Sequence, residues 1–207
     1  MMSRRRMVGL GFSLLLVALT PLAPARAADA VGVVTDFGNR TLQMLNDPQM
    51  SQADRQKRFG AALDQDFDFP RIGRFVLGRY WQTATEEERR QFALVFRDYV
   101  VQAYTVRFSD FSGASFKVTG QRPESDTTAI VSTTVSQRSA QNPAKVDWRV
   151  AKSDDGYRIT EVIVEGISMS LTHRQEFASI TDLGVREVLY KGRVYHWVHL
   201  FACRDLR

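Results

Sequence analysis

Cysteine is almost missing: Cys203 is the only one in 207 residues. It cannot close an internal disulfide, so a small disulfide-stapled scaffold is excluded. Histidine is nearly as scarce, with only His173, His196 and His199, which leaves few candidates for imidazole catalysis or zinc ligation. His196, His199 and Cys203 could share one side of a helix, but they stand at the chain end without evident supporting partners and are not taken as a metal site. There is no phosphate-cradling glycine loop, since Gly73 and Gly78 are isolated. Gly166-Ile167-Ser168-Met169-Ser170 lacks the last glycine of a nucleophile elbow, and helix capping accounts for Ser168.

Long apolar runs are absent too, apart from Met7 to Leu22. That run follows Arg4-Arg5-Arg6 and leads to Ala25-Arg26-Ala27, the order of a secretory signal cleaved after Ala27. It is shorter than the ~20 residues a spanning helix needs. Ser3-Arg4-Arg5 leaves twin-arginine export open. The whole chain has 28 basic and 23 acidic residues; four of the basic ones and no acid lie in the first 27. The mature chain is therefore close to neutral, which gives no case for nucleic acid binding. Export without disulfides fits a bacterial periplasm.

What is abundant is apolar and aromatic surface at regular spacing. Val34, Phe37, Leu42 and Leu45 predict a helix stopped by Asn46-Asp47-Pro48. A second helix is expected from Ser51, burying Phe59, Ala62 and Leu63. Thr85-Glu86-Glu87-Glu88 is a capping box, and Phe92, Phe96, Tyr99, Ala103 and Val106 follow at helical steps. A second stripe, Leu94, Val101, Tyr104 and Phe108, predicts that this helix buries more than one face. After Gly113 the period becomes two, in Phe116 and Val118, in Ala129 to Val135, and in Val146, Trp148 and Val150. Between Tyr157 and Glu165 the apolar phase changes, which predicts a bulge near Glu161 or burial of both faces. Gly166 ends this strand, and Ser168 is expected to cap a short helix through Phe177. Helices followed by a meander indicate an α+β domain with helices packed on one face of a curved sheet.

The segment from Asp66 to Tyr104, with Asp68-Phe69 and Leu77-Gly78-Arg79-Tyr80-Trp81, and the later Glu165-Gly166-Ile167-Ser168 with Arg174 and Phe177, resemble the MlaC or toluene-tolerance family of periplasmic lipid carriers. The likeness spans about Val33 to Ile180, and Glu165 to Met169 is similar to the hopanoid-associated branch. The resemblance implies a four-stranded antiparallel sheet in a nuclear-transport-factor-like cone, with lipid tails between sheet and helices. It also implies a non-enzymatic shuttle without a cofactor, carrying phospholipid or a hopanoid lipid. Its partners would be an outer-membrane lipoprotein complex and an inner-membrane ABC transporter with an MCE-domain component. The residues expected against lipid are Phe69, Ile72, Phe75, Val76, Tyr80, Phe92, Phe96 and Tyr99 on the helices, Val118, Val131, Val146, Trp148 and Val150 on the sheet, and Ile167. The alternatives are an enzyme of the same broad cone-shaped fold, such as an isomerase or dehydratase, and an adaptor without ligand. An enzyme would need an acid or base inside the cavity.

One stretch departs from the family. Residues 181 to 207 keep no helical stripe, where the family continues its helix into a glycine-containing turn. A frameshift near Ile180 is the preferred reading over a divergent tail. The expected division is a signal over 1–27, a carrier domain over 28–180 and this tail.

Overall fold

The computed structural model describes residues 29–137 and 142–181. The segment expected to be a signal, residues 182–207 of the expected tail, and with them His196, His199 and Cys203, lie outside the described residues. Six helices come first and last: α1 (Ala30–Asn46), α2 (Gln52–Asp66), α3 (Phe69–Leu77), α4 (Tyr80–Thr83), α5 (Glu86–Thr105) and, after the sheet, α6 (Met169–Thr181). A single 3-10 turn, Phe108–Phe111, leads into the strands. Each of the first three helices starts on a side chain that accepts from a free backbone donor: Asp29 from Gly32, Ser51 from Asp54, and Asp68 from Arg71. The expected capping box is complete at α5, where the Thr85 hydroxyl accepts from the Glu88 amide and the Glu88 carboxylate from the Thr85 amide. Among the described residues no helix is long and apolar enough to cross a membrane.

The sheet is an antiparallel meander, β1 (Ser115–Ser125), β2 (Thr128–Ser136), β3 (Ala144–Ser153), β4 (Gly156–Val164) and β5 (Ile167–Ser168), in sequential order. It therefore has five strands rather than the four expected. The extra one is two residues long and folds back on β4 through Glu165 and Gly166, both at positive φ (50° and 82°). Two such residues in succession turn a hairpin with the twist its strands need. The predicted bulge is present: Arg149 pairs with Glu161 but Val150 with Ile159, so Thr160 is the extra residue. Ile159 and Val162 can then both face inward despite their opposite phases. Cross-strand rows follow, Ala129–Val150–Ile159 and Val131–Trp148–Val162 among them.

Helix α1 lies across the inner face of the sheet, α3 and α6 pack together beside β4, and α5 covers α2 and α3 from outside. The expected second stripe on α5 is only half realised. Val101 and Phe108 are buried, but Leu94 is 67% exposed and Tyr104 lies partly at the surface, because α5 is an outer layer with neighbours on one side. At the other edge of the fold, β1 is largely exposed beyond Val118, carries a register shift there, and includes Pro123. These are features that discourage pairing with another sheet edge.

Candidate functional site

Two distant motifs of the sequence meet where α3 touches α6. The Asp68 carboxylate accepts from the Arg71 amide at 3.0 Å, while the Asp68 amide donates to the Ile159 carbonyl, also at 3.0 Å, so α3 is capped and tied to β4 together. Phe69, Ile72, Val76 and Leu77 then face the core. Gly78 ends α3 at φ 55°, and a Cβ there would stand 2.9 Å from Nε of Arg174 on α6. Only glycine fits that conformation without strain and leaves room for the arginine. The Arg174 guanidinium lies 5.2 Å over the Phe75 ring, and Arg89 lies 5.1 Å over the Trp81 ring while donating to the Trp81 carbonyl. On the other side of the junction, the Ser168 hydroxyl accepts from the Leu171 amide at 3.0 Å, the cap expected for α6, and donates to Glu161 at 2.7 Å.

Between sheet and helices runs an unbroken series of rings. Phe116 touches Trp148 (centroids 6.3 Å), Trp148 touches Phe37 (5.7 Å), Phe37 touches Phe67 (5.1 Å), Phe67 touches Phe69 (6.2 Å), and Phe69 touches Phe96 (6.2 Å). From Phe96 the series spreads through Phe92, Tyr99 and Phe177. Helix α5 faces α6 across this last group, with Tyr99–His173 at 5.5 Å, Phe92–Phe177 at 5.7 Å and Phe96–Phe177 at 5.9 Å. Edge-on contacts dominate, the favoured geometry for aromatic pairs.

The residues expected against lipid fall into three groups. Phe69, Ile72, Val76, Phe92, Phe96 and Tyr99 are buried on the helix side, and Val131, Val146, Trp148 and Val150 on the sheet side. Phe37, Phe67 and Phe69 stand between the two sides. Tyr80 and Val118 are half-buried at the margins. Phe75 and Ile167 are 43% and 56% exposed, so they lie on the surface and not on an interior wall. Phe75 is displaced outward because Ile72 and Val76 already occupy the inner face of a helix of nine residues. Ile167 stands on β5, the short edge strand. Phe37, Phe67 and Phe177 complete the interior and are not among the residues expected against lipid. Phe37 already belonged to the α1 stripe and Phe177 to the arginine-x-x-phenylalanine motif, which is the signal that could have placed them. A groove of about 440 Å³ between α2 and α5, lined by Ala53, Gln56, Lys57, Arg97, Asp98, Val101 and Gln102, is mostly polar and separate from the ring series.

Most polar groups inside the fold are held by partners, while Thr41 Oγ1 and the Nε atoms of Arg40 and Arg55 are buried with none among the described residues. The Trp148 Nε1–H donates to the Thr133 hydroxyl at 2.9 Å, which donates to the Val146 carbonyl at 2.9 Å. Thr133 thus gives the inward sheet face a buried polar member among the valines. Glu161 is buried but accepts from the Val162 and Ser170 amides at 2.9 and 3.1 Å as well as from Ser168, so it fastens β4 to the start of α6. Its side chain gave no sign of this role in the sequence beyond the bulge beside it. Asp66 is buried and ion-paired with Arg40; burial pushes its carboxyl above the usual range against the pull of that guanidinium. His173 Nδ1 lies 3.1 Å from Glu176. Burial, reinforced by repulsion from Glu176, pushes the Tyr104 hydroxyl up to about 12, although the residue as a whole is 36% exposed. Burial raises Tyr99 as well, in the same direction and with the same carboxylate nearby. Among the described residues no group of three or more histidine, cysteine or acidic side chains could hold a metal ion.

The family described as MlaC protein matches residues 35–189, most of the chain. The chain belongs to the MlaC family. The solved structure of a phospholipid-binding protein from Ralstonia solanacearum, in complex with a phospholipid, resembles this MlaC chain with a TM-score of 0.67 at 24% identity, over 78% of this chain and 93% of that one. That likeness extends to the α+β fold as a whole. Membership in the MlaC family also places the chain among lipid-binding carriers and not among enzymes.

Proposed function

We propose that this MlaC-family chain is a periplasmic carrier that encloses the acyl chains of a phospholipid or hopanoid-type lipid between its sheet and its helices. It would shuttle that lipid between an outer-membrane lipoprotein complex and an inner-membrane ABC transporter with an MCE-domain component. The observation that carries the reading is the family match over residues 35–189 together with an interior of rings and branched aliphatic side chains. The phospholipid in the Ralstonia solanacearum protein of like fold supports it further. The physical requirement is severe. Moving about 30 methylenes of two acyl chains into water costs on the order of 24 kcal/mol, so a carrier must offer an interior nearly as apolar as a bilayer. Here rings fill the space between α5 and α6, and parting the two helices would expose Phe92, Phe96 and Phe177 to an entering chain.

Organic extraction of the protein purified from its native periplasm, followed by mass spectrometry, tests this. Stoichiometric lipid is expected, and its headgroup and backbone identify the class. Protein that yields no lipid, and takes none up from vesicles, would end the carrier reading.

A further inference from the structure

We propose that the exposed ridge where α3 meets α6 is a docking surface for bilayers with anionic headgroups. The proposal goes beyond the carrier reading, because it concerns where the molecule meets a membrane and not what it holds. Helix α3 turns Arg71, Arg74 and Phe75 outward, and α6 turns Leu171 and Arg174 outward. Phe75 and Leu171 are 43% and 45% exposed, and Phe75 is the one phenylalanine among the exposed large apolar side chains of the described residues. Arg174 covers one face of the Phe75 ring, which joins the two helices into one surface. Leu171 lies one turn before Arg174, three residues away on the same side of α6.

The charge on this ridge has one sign. Helix α3 contains no acid, and Asp68 at its start is engaged by the Arg71 amide. The only acid on α6 is Glu176, which is paired with His173. Arg71, Arg74 and Arg174 form no ion pair with a carboxylate among the described residues, as is true of Arg58, Arg107 and Arg122 elsewhere on the fold. Three exposed guanidinium groups without an ion pair among the described residues, one of them resting on the Phe75 ring, with a leucine beside them, match the chemistry of a headgroup layer.

Co-sedimentation with vesicles of phosphatidylcholine alone, or with roughly one third phosphatidylglycerol, tests the assignment at low salt. Binding to the anionic vesicles should exceed binding to the zwitterionic ones by at least ~10-fold, and R71Q/R74Q/R174Q should lower it on the order of 100-fold, about fivefold per arginine. The Phe75→Ser variant should weaken binding at unchanged charge, and thermal melts should stay near wild type because these side chains are exposed. A control of equal charge change, R58Q/K117Q/R122Q, should keep most of the anionic preference. Equal binding to both vesicle types, retention by the ridge variant, or an equal loss in the control would overturn the proposal. So would binding only to acidic soluble proteins. A protein that docks but yields no lipid on extraction refutes the carrier reading alone, and a lipid-loaded protein that ignores anionic vesicles refutes the ridge alone.

Discussion

Truncating Phe96 to alanine tests the packing at the centre of the ring series. Its side chain is 1% exposed and touches Phe69, Phe92, Tyr99, His173 and Phe177, with centroids 5.6 to 6.3 Å away. Removing a buried phenylalanine costs about 3–5 kcal/mol, the sum of lost transfer energy and the void left behind. Against a domain stability of about 5–15 kcal/mol the variant stays folded in most of that range. For a domain of this size the melting temperature should fall by roughly 6–20 °C. Leu94→Ala, on the open side of the same helix, should change stability by less than about 0.5 kcal/mol. Calorimetry on lipid-free protein measures both. A loss below about 1 kcal/mol for Phe96→Ala would refute the packing described. Repeating the melt on lipid-loaded protein extends the test: two methylenes filling the void would recover about 1.6 kcal/mol. An equal loss with and without lipid would make Phe96 wall packing that no acyl chain touches.

Tyr104 should titrate near pH 12, and following tyrosinate absorbance in wild type and Tyr104→Phe checks it. The folded state then holds a proton that the unfolded state releases near pH 10, so this contribution is intact below pH 10 and is lost as the pH rises towards 12. Alkaline stability that is flat across this window would contradict the burial of the hydroxyl. Gly78→Ala should destabilise by roughly 1–3 kcal/mol, since the new Cβ meets both an unfavourable φ and Arg174; a neutral melt would refute that close approach. Re-sequencing the gene across Ile180 should find an intact continuation in another reading frame, and its absence would discard the frameshift.

The strand pattern and the capping residues were legible because each is local: alternation sets a strand face, and Thr85 or Ser168 signals a helix start within four residues. The change of phase after Ile159 even announced the bulge at Thr160. What stayed hidden depended on contacts between distant segments. Leu94 and Val101 look alike in a helical stripe, and only the position of α2 against α5 decides which is covered. Phe75 reads as core beside Phe69 and Ile72 until Arg174, a hundred residues later, is seen to roof its ring from outside. The buried role of Glu161 likewise needs α6 to fold back beside β4, a placement that no spacing in either segment encodes.

The layer of rings between α5 and α6 has a mechanical consequence. Adjacent sheet strands are joined by hydrogen bonds in one register, so parting them breaks directional bonds that must be found again in the same order. Contacts between Phe92, Phe96, Tyr99 and Phe177 carry no register, and the burial that favours them is not directional. Opening a seam closed by such side chains costs apolar burial and ring contacts, and no set of backbone hydrogen bonds has to be realigned on closing. Separating α5 from α6 at this layer therefore leaves the hydrogen-bond ladders of the sheet whole.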